Sequence, residues 1–87
     1  MNAYTHRKFD KRYVKLPKKL QEQFKERRDI FLANPFDPLL ENHQLHGEYT
    51  GCRSINITGD YRAIYYHERA DVVRFFAIGT HHELFGT

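Results

Sequence analysis

The residues best suited to moving protons fall in three short stretches: Asn42-His43-Gln44-Leu45-His46, Gly59-Asp60-Tyr61-Arg62 and Gly79-Thr80-His81-His82. Histidine's unperturbed pKa lets it act as acid or base at physiological pH. Imidazoles with a carboxylate, a phenol and a guanidinium nearby suit metal-free cleavage of a phosphodiester. In RNA, one group takes the ribose 2′-hydroxyl proton, another protonates the departing 5′ oxygen, and a cation offsets charge on the phosphorane. Aromatic rings stack on splayed-out bases, the usual way of holding single-stranded RNA.

Taken singly, each residue has a plainer reading. Asp60 after Gly59 is an ordinary turn residue, Arg62 at a strand start suits an ion pair equally well, and Phe85 reads as an anchor for the tail. His43 and His46 are spaced like the start of a metal site but lack a cysteine partner, so no metal and no cofactor is expected. His82 reads as exposed, while His6 and His67 have no special context.

The elements that must carry these stretches follow from periodicity. Residues 3–6 suit a short opening strand. Phe9, Tyr13 and Leu16 fall on one stripe of a helix, and Pro17 ends it and opens a second that runs to about Ala33 with Leu20, Phe24, Ile30 and Phe31 inward. Asn34-Pro35 stops that helix, and Asp37-Pro38 reads as an N-cap and first turn. Ile55 and Ile57 then alternate with Ser54, Asn56 and Thr58 as in a half-buried strand. Residues 61–67 form a second strand and 72–78 a third, whose run apolar on both faces, Arg74 excepted, marks it as central. The expected fold is α+β, a single domain over residues 1–87 with an N-terminal helical hairpin packed on a small, mainly antiparallel sheet in the order β-α-α-β-β-β.

Register then brings the distant stretches together. A hairpin turning at Arg69-Ala70 pairs residues whose numbers sum to roughly 139–140, which sets Asp60 opposite Gly79 or Thr80 and within one residue of His81. The preceding turn at Gly59 sets Asn56 and Ile57 near Tyr61 and Arg62. Asp60, Tyr61, Arg62, His81 and the Asn56 region therefore converge at one end of the sheet. His43 enters from the loop before it.

At 87 residues there is room for one small core, to which seven Phe and six Tyr bring large areas per residue. Cys52 is the lone cysteine, which fits a reducing cytoplasm, and neither a membrane-spanning run nor a signal-peptide segment is apparent. A soluble, cytoplasmic protein is expected. The net charge of +3 is uneven, with the excess of Lys and Arg in the helical half. That surplus coats a solvated helix face or meets a polyphosphate or an acidic protein partner.

The ordered set Asn42-His43-Gln44-Leu45-His46-Gly47, Gly51-Cys52-Arg53-Ser54, Gly59-Asp60-Tyr61-Arg62-Ala63-Ile64-Tyr65 and Ile78-Gly79-Thr80-His81-His82-Glu83-Leu84-Phe85-Gly86 resembles the RelE/ParE superfamily of type II toxin–antitoxin toxins, and within it the YafQ-like branch. The Leu16-Pro17-Lys18 joint and the Asn34-Pro35 stop also fit that family's helical hairpin. The resemblance implies a toxin that cuts mRNA in the ribosomal A site without a metal and is silenced by a cognate antitoxin. By motif, His43, Asp60, His81 and Phe85 occupy positions used for catalysis and substrate holding, and Tyr61 stands where the branch has tryptophan. Arg62 matches an arginine of the wider superfamily. The implied roles are His81 as general acid, Asp60 or His43 as base, Arg62 or Arg53 on the phosphate, and Tyr61 and Phe85 on the bases. Asn56 replaces a histidine of the branch; it can hydrogen-bond the phosphate or ribose but cannot transfer a proton at neutral pH. The rival expectations are a ParE-like inhibitor that binds DNA gyrase without catalysis, and a weakly active toxin-like domain whose main role is antitoxin binding.

Overall fold

The computed structural model describes residues 1–86. Strand β1 (Asn2–Thr5) leads into α1 (Arg7–Tyr13) and α2 (Lys18–Ala33), followed by a 3-10 turn at Pro38–Leu40. Then come β2 (His43–Gln44), a second 3-10 turn (Gly47–Tyr49), β3 (Arg53–Thr58), β4 (Tyr61–Arg69), β5 (Val72–Thr80) and α3 (His81–Phe85). The five strands make one sheet in the order β1-β5-β4-β3-β2. All neighbours are antiparallel except β1, which runs parallel to β5. As its apolar run suggested, β5 is an interior strand.

Pro17 governs the helical hairpin. It disfavours helical geometry at Leu16, so α1 stops at Tyr13, and Leu16, expected on that helix's stripe, lies beyond its end yet is buried. Pro17 itself caps α2 from extended backbone, just outside its first turn. Side chains close the joint: the Tyr13 hydroxyl donates to Gln21 O at 2.8 Å, and Gln21 Nε2 donates to Tyr13 O and Leu16 O, both at 3.1 Å. Asp37 caps the following turn as expected, accepting from Leu39 N.

The helices lie on one sheet face over an aromatic core. Phe24 meets Phe9 at a centroid distance of 5.0 Å and Phe75 edge-on at 5.4 Å. Phe31 meets Tyr65 at 4.9 Å and Phe75 at 5.6 Å. Such offset and edge-on pairs add about 0.5–1.5 kcal/mol each beyond burial. Because strand side chains alternate, Ile55, Ile57, Ala63, Tyr65, Val73 and Phe75 face this core, while Ser54, Asn56, Arg62, Ile64 and Tyr66 face the other side. That second face carries the expected site residues Asn56 and Arg62. It is covered in part by α3 and by Tyr49, whose hydroxyl donates to Leu84 O at 3.1 Å and whose ring meets Phe85 and Phe76. Gly79, opposite Arg62, permits the close approach of α3: a Cβ there would stand 3.0 Å from Glu83 Oε1 and 3.6 Å from Leu84 Cδ2.

No helix of the described residues is long and apolar enough to cross a membrane.

Candidate functional site

The last hairpin realises the expected convergence through a bulge. Near its turn the partners are Tyr65 with Phe75 and His67 with Val73, summing to 140; past an irregularity at Ile64/Tyr65 they become Arg62 with Gly79 and Tyr61 with Thr80, summing to 141. That one-residue shift sets Asp60 level with His81, whose N–H donates to Asp60 O at 3.0 Å. The β3–β4 hairpin places Asn56 opposite Arg62, with another irregularity before Thr58 meets Tyr61.

The helix that carries His81 and Phe85 went unforeseen, although Thr80-His81-His82-Glu83 spells its signature. Thr80 Oγ1 accepts from Glu83 N at 3.1 Å while Glu83 Oε1 accepts from Thr80 N at 2.8 Å, a reciprocal capping box. Gly86, at φ 73°, ends the helix in the left-handed region. One turn separates His81 from Phe85, and their rings lie 4.8 Å apart. Arg12 of α1 pairs with Glu83 at 2.6 Å. Glu83 sits below the usual carboxylate range, chiefly because it accepts from the Thr80 N–H and then because of Arg12, with burial opposing.

His43 occupies β2, a two-residue edge strand where a loop was expected, paired with Ser54. Its ring is exposed, but Nδ1 lies 3.0 Å from Glu41 O and 3.2 Å from Arg62 Nη2. Arg62 is only 8% exposed. Its Nε donates to Ser54 Oγ at 2.9 Å and its Nη2 to Glu41 O at 2.8 Å. Burial lowers the Arg62 pKa, with Glu41 pulling the other way, and the guanidinium remains charged.

Arg53 belongs to the opposite face. Its Nε donates to Asn42 Oδ1 at 2.8 Å and its guanidinium lies 5.2 Å from the Phe36 centroid. Asn42 in turn donates to Pro35 O and the Tyr65 hydroxyl, at 2.9 and 2.8 Å, and so anchors the loop entering β2. Tyr61 packs against the core edge. Asn56 donates to Gly59 O at 3.3 Å across its own turn, and Asp60 is exposed. Among the described residues no cluster of three or more His, Cys, Asp or Glu could hold a metal ion.

The open face therefore has Arg62 with Ser54 and Asn56 beneath it, His43 at one border, and the Asp60–His81–Phe85 corner at the other. A family model described as "Bacterial toxin of type II toxin-antitoxin system, YafQ" matches residues 1–86. The chain belongs to the YafQ toxin family. YafQ from E. coli strain BL21(DE3) superposes with a TM-score of 0.78 at 26% identity, over 97% of either chain. The same identity and a TM-score of 0.75 are found against a crystal structure of the E. coli DinJ–YafQ complex, again over 97% of each chain. RelE in the archaeal RelE–RelB complex from Pyrococcus horikoshii OT3 gives 0.71 at 26% identity, over 91% of this chain and 92% of that one. None of the curated protein sequences matches. The YafQ fold, a RelE/ParE-type sheet with an N-terminal helical hairpin, is thus the one expected from the motifs, with α3 and β2 added.

Proposed function

We propose that this YafQ-family chain is a metal-independent endoribonuclease that cleaves mRNA at the ribosomal A site and so arrests translation in the cytoplasm. The observation that carries the reading is the pair of exposed imidazoles bordering one open sheet face, His43 on β2 and His81 beside Phe85 on α3. His81 is the general acid, with Asp60 or His43 as base. Phe85 offers a ring for a base and Asn56 a carboxamide toward the phosphate or ribose, while Tyr61, expected as a second ring, packs on the core side of the sheet. Histidines in these roles contribute about 10²–10⁴-fold each.

A cognate antitoxin is the expected partner, by analogy with the DinJ–YafQ and RelE–RelB complexes. Ten Lys and Arg against four Asp and Glu in residues 1–33 give the helical hairpin a basic surface for it or for ribosomal RNA.

The test uses antitoxin-free protein and a reporter mRNA, with and without translating ribosomes. The expected result is cleavage only during translation, lowered at least a hundredfold by His81→Ala. Intact mRNA with both proteins overturns the reading, and inhibition of gyrase supercoiling under the same conditions would turn it toward a ParE-like binder.

A further inference from the structure

Arg62 offers Nη2 more acceptors than it has protons. Three groups surround that atom: Glu41 O at 2.8 Å, Ser54 O at 3.2 Å and His43 Nδ1 at 3.2 Å. A guanidinium Nη carries two protons, so one of the three does not accept.

The Glu41 carbonyl identifies which. It lies 3.0 Å from His43 Nδ1. Were Nδ1 unprotonated, that contact would oppose two lone pairs. With the proton on Nδ1, the Glu41 and Ser54 carbonyls are both satisfied, and the long 3.2 Å approach of Nη2 to Nδ1 is the one that carries no hydrogen bond. The ring N–H donates to Glu41 O, the second lone pair of that oxygen accepts from Arg62, and the remaining Nη2 proton goes to Ser54 O. The guanidinium plane is fixed from below by the Nε bond to Ser54 Oγ at 2.9 Å, where Ser54 is wholly buried. Glu41 also has positive φ, 45°, a conformation uncommon for a residue with a side chain. Adopting it turns the Glu41 carbonyl toward both Arg62 and the ring.

We infer that Arg62 is a positioning residue for His43: acting through the Glu41 carbonyl, it keeps the ring proton on Nδ1 and leaves Nε2, on the exposed edge, as the unprotonated nitrogen. In the proposed cleavage, on which this half rests, His43 rather than Asp60 is then the base. Arg62 holds the base and does not touch the phosphate. The tautomer itself is independent of any activity.

The experiment records long-range nitrogen–proton spectra of the imidazoles in the full chain at alkaline pH, where histidine is neutral. His43 is expected as the Nδ1–H tautomer. Arg62→Lys keeps a charge but replaces the planar fork with a point donor, and should move His43 toward the Nε2–H form that free histidine favours. Ser54→Ala, which removes only the Nε anchor, should do so in part, and serves alone if Arg62→Lys does not fold. An Nε2–H His43 in the unaltered protein, or an Nδ1–H His43 undisturbed in the folded variants, overturns the inference.

A second arm measures RNA cleavage by Arg62→Lys, His43→Gln and the double variant. Loss of a positioned base lowers the rate by about 10²–10⁴-fold, and the double variant should be no worse than His43→Gln alone. Losses that multiply would mean an independent phosphate contact and refute the positioning role. If the unaltered protein cuts no RNA, the proposed function falls while the spectra still decide the tautomer.

Discussion

Thr80→Ala should unwind α3 and leave the sheet folded. The substitution removes the hydroxyl that accepts from Glu83 N at 3.1 Å, one of the two bonds of the capping box. Loss of such a cap costs about 1 kcal/mol, or roughly fivefold in the helix equilibrium. At five residues α3 is far too short to hold itself. Among its remaining ties are the His81 N–H bond to Asp60 O at 3.0 Å, the Thr80 N–H bond to Glu83 at 2.8 Å, the Tyr49–Leu84 bond at 3.1 Å, the Tyr49–Phe85 ring contact at 5.7 Å and the half-exposed Arg12–Glu83 pair, the last worth at most about 1 kcal/mol. Amide exchange is the assay. The Gly86 N–H, bonded to His82 O at 2.8 Å, should exchange about fivefold faster, while the β4–β5 ladder keeps its protection. RNA cleavage should fall by at least the same factor, because His81 and Phe85 both ride on this turn. Equal acceleration in α3 and β5 would show one cooperative unit and refute the reasoning. So would lost cleavage with α3 protection intact.

Four further outcomes are expected. Asn42→Ala removes one partner each from half-buried Arg53 and the buried Tyr65 hydroxyl, which keep each other; at about 1 kcal/mol for a lost hydrogen bond, thermal melting should drop by about 4–8 °C. Phe31→Ala empties a fully buried site against Tyr65 and Phe75 and should cost about 3–5 kcal/mol in denaturant titration, much of a typical total of about 5–15. Asn56→His places a titratable ring across from Arg62 and should raise single-turnover cleavage about tenfold or more; an unchanged rate would mean that Asn56 withholds nothing. Because the folded-state pKa of Glu83 is depressed, its contribution is complete above the unfolded glutamate value of about 4.3 and is lost as pH falls through the lower, folded one. Acidification should therefore fray α3 first, and amide exchange across that window checks it.

Much of this architecture could be read from residues whose local demands agree with the tertiary structure. The Pro17 joint, the Asp37 cap and the alternation of Ile55 and Ile57 each follow from backbone chemistry alone. The Asp60–His81 proximity came from counting across a hairpin, and the count needed one more residue because a bulge at Ile64/Tyr65 shifts the register. Bulges answer to sheet twist and packing, which no pairing rule supplies. Two elements were missed for different reasons. α3 is spelled out by the reciprocal cap of Thr80 and Glu83, but at five residues it is too short to show a periodic apolar stripe. β2 has two residues, His43 and Gln44, and exists only because β3 offers an edge. Arg62 and Arg53 looked interchangeable as phosphate ligands. Adjacent-strand alternation sends them to opposite faces, and the burial of Arg62 depends on Ser54, Glu41 and His43 gathering around it.

The parallel pairing of β1 with β5 also bears on how the protein comes into being. Asn2 pairs with Val72, a separation of 70 residues (72 − 2), so β1 has no partner until β5 has been made. Closing so long a loop is slow compared with forming the local α1–α2 hairpin. His81 and Phe85 follow β5 directly, and their helix rests on Gly79 and Tyr49 across the finished sheet. The helical half can thus form before the sheet closes. The face bordered by His43, His81 and Phe85 is therefore the last part of the fold to be assembled, after the sheet has closed on both sides of β5.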